Sequence, residues 1–191
     1  RLAMHLSMAF IILGITFQTF LDASISHTDN KNVIYKNNSE FLFLLLLLFI
    51  FLQIAYGAFV SGTHSGLLFN TWPMYNGNIF PLIENNNLRG FINFFETGEY
   101  IIFVHRTFAI FLLLIVFYIN YIFYKKNTII NKSYLLLTFN LIFIFQIVLG
   151  ILMTFKNIPW HLALAHQGNS IILFLISITM WVLSKKSLQT N

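Results

Sequence analysis

With 191 residues, 58% of them hydrophobic and only 9% charged, the chain has a membrane composition, which excludes a soluble globular core. Its net charge of +5 calls for no nucleic-acid partner, because the basic residues are biased to one side of a bilayer. Cys is absent, so disulfides and thiolate ligands are excluded and any metal must be held by His, Met or carboxylate.

Five apolar stretches approach the roughly 20 residues that a helix needs to cross a bilayer, so an all-α integral membrane protein is expected, each helix satisfying its own backbone in lipid. The first, 2–21, carries His5 almost at its start. It has neither a basic n-region nor a small-residue cleavage site, so it is not a signal peptide, and the chain reads as the downstream piece of a longer protein. A 22–40 linker follows, with His27, Lys31 and Lys36. The second span, 41–60, contains Gln53 and Gly57. The 61–99 connection is too long for a simple link and points to function. Within it Gly62 and Gly66 permit tight backbone, Trp72 suits an interface, and 88–96 suits a short helix on the membrane surface. Such a loop is either a lid over a pocket or an interfacial anchor.

The third span, 100–124, holds His105 and Arg106. Lys125, Lys126 and Lys132 connect it to the fourth, 133–155, with Gln146 and Gly150. The fifth, 162–183, holds His166 and leads to Lys185 and Lys186. If the spans alternate, these lysines share one side with Lys31 and Lys36. Arg1, Arg89 and Lys156 fall on the other. The Lys-rich side is therefore cytoplasmic, or matrix-facing in a mitochondrion, and the first helix enters from outside.

On that topology His5, His105 and His166 sit on parallel helices, each roughly 6–9 Å below the outer edge at about 1.5 Å per residue. A polar ring at that depth costs several kcal/mol unless something binds it. Three at one level point to metal, and in a lipid-embedded bundle to heme iron. His105 and His166 make the natural axial pair. The other readings weighed are hydrogen bonds within the bundle for the histidines, and a transporter or scaffold without a cofactor for the chain. His161 lies about 140° around its helix from His166 and cannot share one iron with it; His27 and His64 read as loop or interface residues. Arg106 is the only charged residue inside the spans so drawn. Either a heme propionate matches its guanidinium, or it snorkels or pairs with Glu96 or Glu99.

An internal repeat connects these features. Gln53-x-x-x-Gly57 recurs as Gln146-x-x-x-Gly150, and Leu2-Ala3-Met4-His5 resembles Ala163-Leu164-Ala165-His166. The i,i+4 spacing puts amide and glycine on one helix face, where Gly allows close approach and Gln a cross-bundle hydrogen bond. A duplicated unit follows: 41–185 forms a complete four-helix bundle, and 1–21 is the last helix of a preceding one.

The ordered set Arg1-Leu2-Ala3-x-His5-Leu6, Gln53-x-x-x-Gly57-Ala58-x-Val60-x-Gly62-x-x-x-Gly66-Leu67, Asn70-Thr71-Trp72-Pro73, Asn93-Phe94-Phe95-Glu96, His105-Arg106, Gln146-x-x-x-Gly150-Ile151 and Leu164-Ala165-His166-Gln167 resembles the heme A synthase family, in its cysteine-less proteobacterial and mitochondrial branch. The resemblance implies eight helices in two halves, with heme b between His105 and His166 in the C-terminal half. His5 matches a ligand for the substrate, heme O, whose methyl group is oxidised to the formyl of heme A for cytochrome oxidase. The remaining catalytic residues belong to helices outside this chain, so the chain alone is expected to be inactive. The implied setting is the bacterial inner membrane, or the mitochondrial one. The implied partners are the heme O synthase and cytochrome oxidase assembly factors, with a homo-oligomer left open. Thr63-His64-Ser65 and Thr97 depart from the family pattern. The alternative is a b-type electron-transfer subunit that shares the bis-histidine bundle without oxidising porphyrin.

Overall fold

The computed structural model describes residues 1–26, 39–82, 93–125 and 133–186. His27, Lys31, Lys36, Arg89, Lys126, Lys132 and the 88–92 part of the expected surface helix lie outside them. Among the described residues five helices are long and apolar enough to cross a membrane: α1 (Leu2–Ser26), α2 (Ser39–Gly62), α4 (Gly98–Lys125), α5 (Ser133–Phe155) and α6 (Trp160–Lys186). One turn, α3 (Asn93–Glu96), precedes α4. Among the described residues there is no β-strand. The helix α1 runs on to Ser26, five residues past the apolar stretch, because a helix need not stop where hydrocarbon ends: its last turns carry Asp22 and Ser24.

The helices alternate in direction. Leu2 lies against Gly62, Leu68 against Gly98, and Ile158 against Gly66. The starts of α1, α4 and α6 therefore share one end with the finishes of α2 and α5, and this is the outer end of the topology above. The α5–α6 turn closes tightly. The Ile158 amide donates to Met153 O at 2.9 Å and that of Lys156 to Leu152 O at 3.0 Å, with Asn157 left-handed at φ 55°, as a helix C-cap requires. Ile158 is also left-handed, at φ 52°, a strained position for a β-branched residue. Its side chain packs onto Gly66, where an added Cβ would lie 2.5 Å from Ile158 Cδ1.

In lipid, tails and side chains are equally apolar, so association rests on van der Waals fit and interhelical hydrogen bonds. The helix α2 packs on α4 and α6, and α5 on α6. Asn120 Nδ2 donates to Asn140 Oδ1 at 3.1 Å and Asn140 Nδ2 to Asn120 Oδ1 at 2.7 Å, tying α4 to α5. The four helices thus close in the order α2, α4, α5, α6, with α4 and α6 on a diagonal. Outside this ring α1 lies on α2 and α6, seated by Phe10, edge-on to Phe174 at 5.2 Å.

The large apolar core fills only the inner part of the ring. It comprises Phe43, Leu46, Ile50 and Ile54 from α2, Leu112, Val116 and Ile119 from α4, Phe139 and Phe143 from α5, and Leu173, Phe174, Ile178, Met180 and Val182 from α6. Toward the outer end the interior becomes polar and glycine-lined.

Candidate heme-ligand site

That polar layer contains Gln53 and Gly57 of α2, His105 and Arg106 of α4, Gln146 and Gly150 of α5, and His166 and Asn169 of α6. Gly57 and Gly150 explain its geometry. A Cβ at Gly57 would lie 3.3 Å from His105 Cε1 and 3.9 Å from Nδ1; at Gly150 it would lie 3.3 Å from His166 Cε1 and 3.8 Å from Nδ1. Each imidazole therefore rests on the bare backbone of the spanning helix that precedes its own. Gly57 is five residues from the end of α2 at Gly62, and Gly150 five from the end of α5 at Phe155. The two rings consequently sit at one level, presented by diagonal helices.

Neither ring is sealed by apolar packing. His105 lies deep in the protein yet keeps accessible surface, and His166 is half-buried. The two are close enough to interact electrostatically. His166 Nδ1 is buried without a hydrogen-bond partner, and so are Gln53 Oε1 and Arg106 Nη1. Such orphans are unfavourable by about 1–3 kcal/mol each, so this layer suits a bound polar-edged group better than an empty core. Two neighbouring imidazoles at one level, an unpartnered guanidinium nitrogen and glycine-backed ring positions fit a porphyrin held by two histidines with an anionic edge. Among the described residues no cluster of three or more His, Asp or Glu could hold a bare metal ion, whereas an axial pair needs only two.

Gln53 Nε2 donates to His105 O at 3.1 Å and lies 3.3 Å from Nδ1 and 3.4 Å from Nε2 of that ring. Gln146 is engaged otherwise: Asn169 Nδ2 donates to Gln146 Oε1 at 2.7 Å and to Ile142 O at 3.0 Å. The repeat thus brings each glutamine to the polar layer but gives it a different partner.

Arg106 faces the outer loop rather than Glu96 or Glu99. Its Nη2 donates to Phe69 O at 3.3 Å, and its guanidinium lies 4.8 Å from the Tyr75 ring centroid. The loop has a small core of its own. Phe69 and Tyr75 meet edge to face at 5.2 Å and pack on Ile102 and Phe103. Tyr75 N–H donates to Asn78 O at 2.8 Å and Asn78 N–H to Tyr75 O at 3.1 Å, closing a turn through Asn76 and Gly77, both left-handed at φ 50° and 91°, as an Asn-Gly hairpin turn requires. Burial pushes the Tyr75 phenol above its usual value of 10.0, partly offset by Arg106. The phenol therefore stays neutral through neutral pH, and the loop core loses stability only as pH rises past that value, while the Arg106 contact itself favours the ionised ring. The α3 turn packs on α2 through Phe95, 5.8 Å from Phe59 and 6.1 Å from Tyr56.

The remaining histidines stand apart. His5 is exposed on α1, its Nδ1 3.0 Å from Arg1 O. His64 is exposed at a left-handed φ of 56°, and His161 is exposed edge-on to Trp160 at 5.8 Å. Sequence reasoning missed Tyr75, Asn120, Asn140 and Asn169. The three asparagines lie inside spans, where any polar side chain is itself a signal, and the Asn76-Gly77 pair marked the turn that positions Tyr75.

Residues 1–178 match the COX15-CtaA family of cytochrome oxidase assembly proteins. The chain belongs to this family. It is similar to the heme A synthase of Wolbachia pipientis wMel, 36% identical over 174 residues, covering 91% of this chain and 47% of that protein. It is likewise 36% identical to that of Pelagibacter ubique (strain HTCC1062) over 173 residues, 90% of this chain and 49% of the relative. With that of Bartonella quintana (strain Toulouse) it shares 31% over 191 residues, 98% and 51% of the two chains. The chain thus spans about half the length of the curated relatives it matches. Five apolar spans in a family with these bacterial members make it a multi-pass inner-membrane protein.

Proposed function

We propose that this chain is the C-terminal, heme b-holding part of a heme A synthase, an oxidoreductase that converts the methyl group of heme O to the formyl group of heme A. The observation that carries the reading is the pair His105 and His166: one level, diagonal helices, each ring on a glycine of the preceding helix. His105 and His166 would be the axial ligands, and Arg106 would meet a propionate through Nη1. A heme bound there supplies one-electron redox chemistry. His5, exposed on α1 away from this pair, would face the substrate heme in the other half of the whole protein, where the remaining catalytic groups are assigned. The division at 22–40 between half-bundles belongs to the same proposal, as do contacts with the heme O synthase and oxidase assembly factors.

The test has two arms. A reduced-minus-oxidised spectrum of the purified chain should show a low-spin b-type heme that His105→Ala and His166→Ala each abolish. The complete gene product should convert heme O to heme A, followed by chromatography of extracted hemes. The spectrum without the conversion would favour a b-type electron-transfer subunit instead.

A further inference from the structure

Gln53 and Gln146 occupy equivalent places in the repeat, yet only Gln53 reaches an imidazole with its side chain. Gln53 reaches both nitrogens of the His105 ring, at 3.3 and 3.4 Å, while its Oε1 is buried without a partner. Gln146 has its Oε1 bound by Asn169 at 2.7 Å. At His166 it is the Gln146 main chain, not its side chain, that meets the ring, and Nδ1 has no side-chain partner.

We infer that Gln53 is the positioning residue for His105 as an iron ligand, and that the two axial histidines are inequivalent, one held by a side-chain amide and the other without side-chain support. The inference rests on the bis-histidine heme reading above. An imidazole that gives one nitrogen to a metal carries its proton on the other, and that N–H needs an acceptor to fix tautomer and ring orientation. Gln53 lies within reach whichever nitrogen binds. An amide offers a carbonyl oxygen as well as two N–H donors, and here the oxygen is the unused half. A hydrogen bond from the distal N–H to that oxygen makes the ring a stronger donor to iron, which favours the oxidised state. On the other side Asn169 withholds the equivalent amide, so Gln146 serves helix packing rather than the ligand.

The experiment compares Gln53→Leu, Gln53→Glu and Gln146→Leu with the parent chain, purified with heme in detergent. The readouts are midpoint potential, low-spin electron paramagnetic resonance signal, heme retention against apomyoglobin, and melting temperature. The expected result is that Gln53→Leu raises the potential and weakens heme retention by about 10- to 100-fold, the usual effect of losing such a partner. Gln53→Glu, which keeps an acceptor, should bring the potential back to the parent value or below. Gln146→Leu should lower the melting temperature and leave the potential unchanged. A parent-like potential and heme retention in Gln53→Leu, or equal potential shifts in the two leucine variants, would overturn the inference while the heme reading stands. A folded parent with no low-spin heme signal would overturn both.

Discussion

At the scale of single residues, the two glycines under the imidazoles set the tightest condition on the site. An added methyl would stand 3.3 Å from the ring carbon in each case, so the ring must give by a few tenths of an ångström. Overpacking of that kind typically costs about 1–3 kcal/mol. Gly150→Ala should therefore keep a low-spin heme at reduced occupancy, and Gly150→Leu should lose it, as read by heme per protein and by the reduced spectrum. Arg106 makes a different demand. Its planar guanidinium both donates to Phe69 O and lies over Tyr75, which an ammonium cannot reproduce. Arg106→Lys should consequently behave like Arg106→Leu in loosening the loop, with faster amide hydrogen exchange across residues 69–78 in both. Unchanged exchange in the lysine variant would mean that charge alone holds the loop.

Among elements, α4 and α5 are tied by a reciprocal asparagine pair near the inner end. Interhelical hydrogen bonds in membranes are worth about 0.6 kcal/mol on average and up to about 1.7. Asn120→Leu should destabilise the folded bundle by about 1–2 kcal/mol, since it also strands the Asn140 amide. Asn120→Leu with Asn140→Leu should recover most of the loss, a coupling that a double-mutant cycle in detergent unfolding measures. This pair was invisible as a pair in the sequence, because Asn120 and Asn140 belong to different spans and only folding makes them neighbours. The spans themselves were legible, since long apolar runs have one stable form in lipid, and so was the Gln-x-x-x-Gly repeat. What each glycine meets was not. Spacing places Gly57 and Gly150 on a helix face, but says nothing of the imidazole that arrives from the next helix of the ring. The contacts that Arg106 makes within the chain were illegible for a related reason. Its partners, Phe69 and Tyr75, reach it through a loop fold set by the Asn76-Gly77 turn, whereas nearby Glu96 and Glu99 are its neighbours in sequence only.

For the whole molecule, the repeat gives two helix pairs, α2 with α4 and α5 with α6, each bringing one imidazole to the same outer polar layer, while α1 stands outside the ring with His5 exposed. If His5 belongs to a second heme position, the two functions should separate by mutation. In the complete gene product His5→Ala should leave the low-spin b-type signal of the His105–His166 pair at parental intensity, because His5 is exposed and contributes nothing to that layer. The same variant should lose most conversion of heme O to heme A. His166→Ala should remove the b-type signal first, whatever its effect on conversion. Spectra and heme chromatography on the same preparations distinguish the cases. Loss of the b-type signal in His5→Ala would mean that α1 holds the ring together rather than serving a second site. Full conversion in that variant would remove His5 from the substrate position altogether.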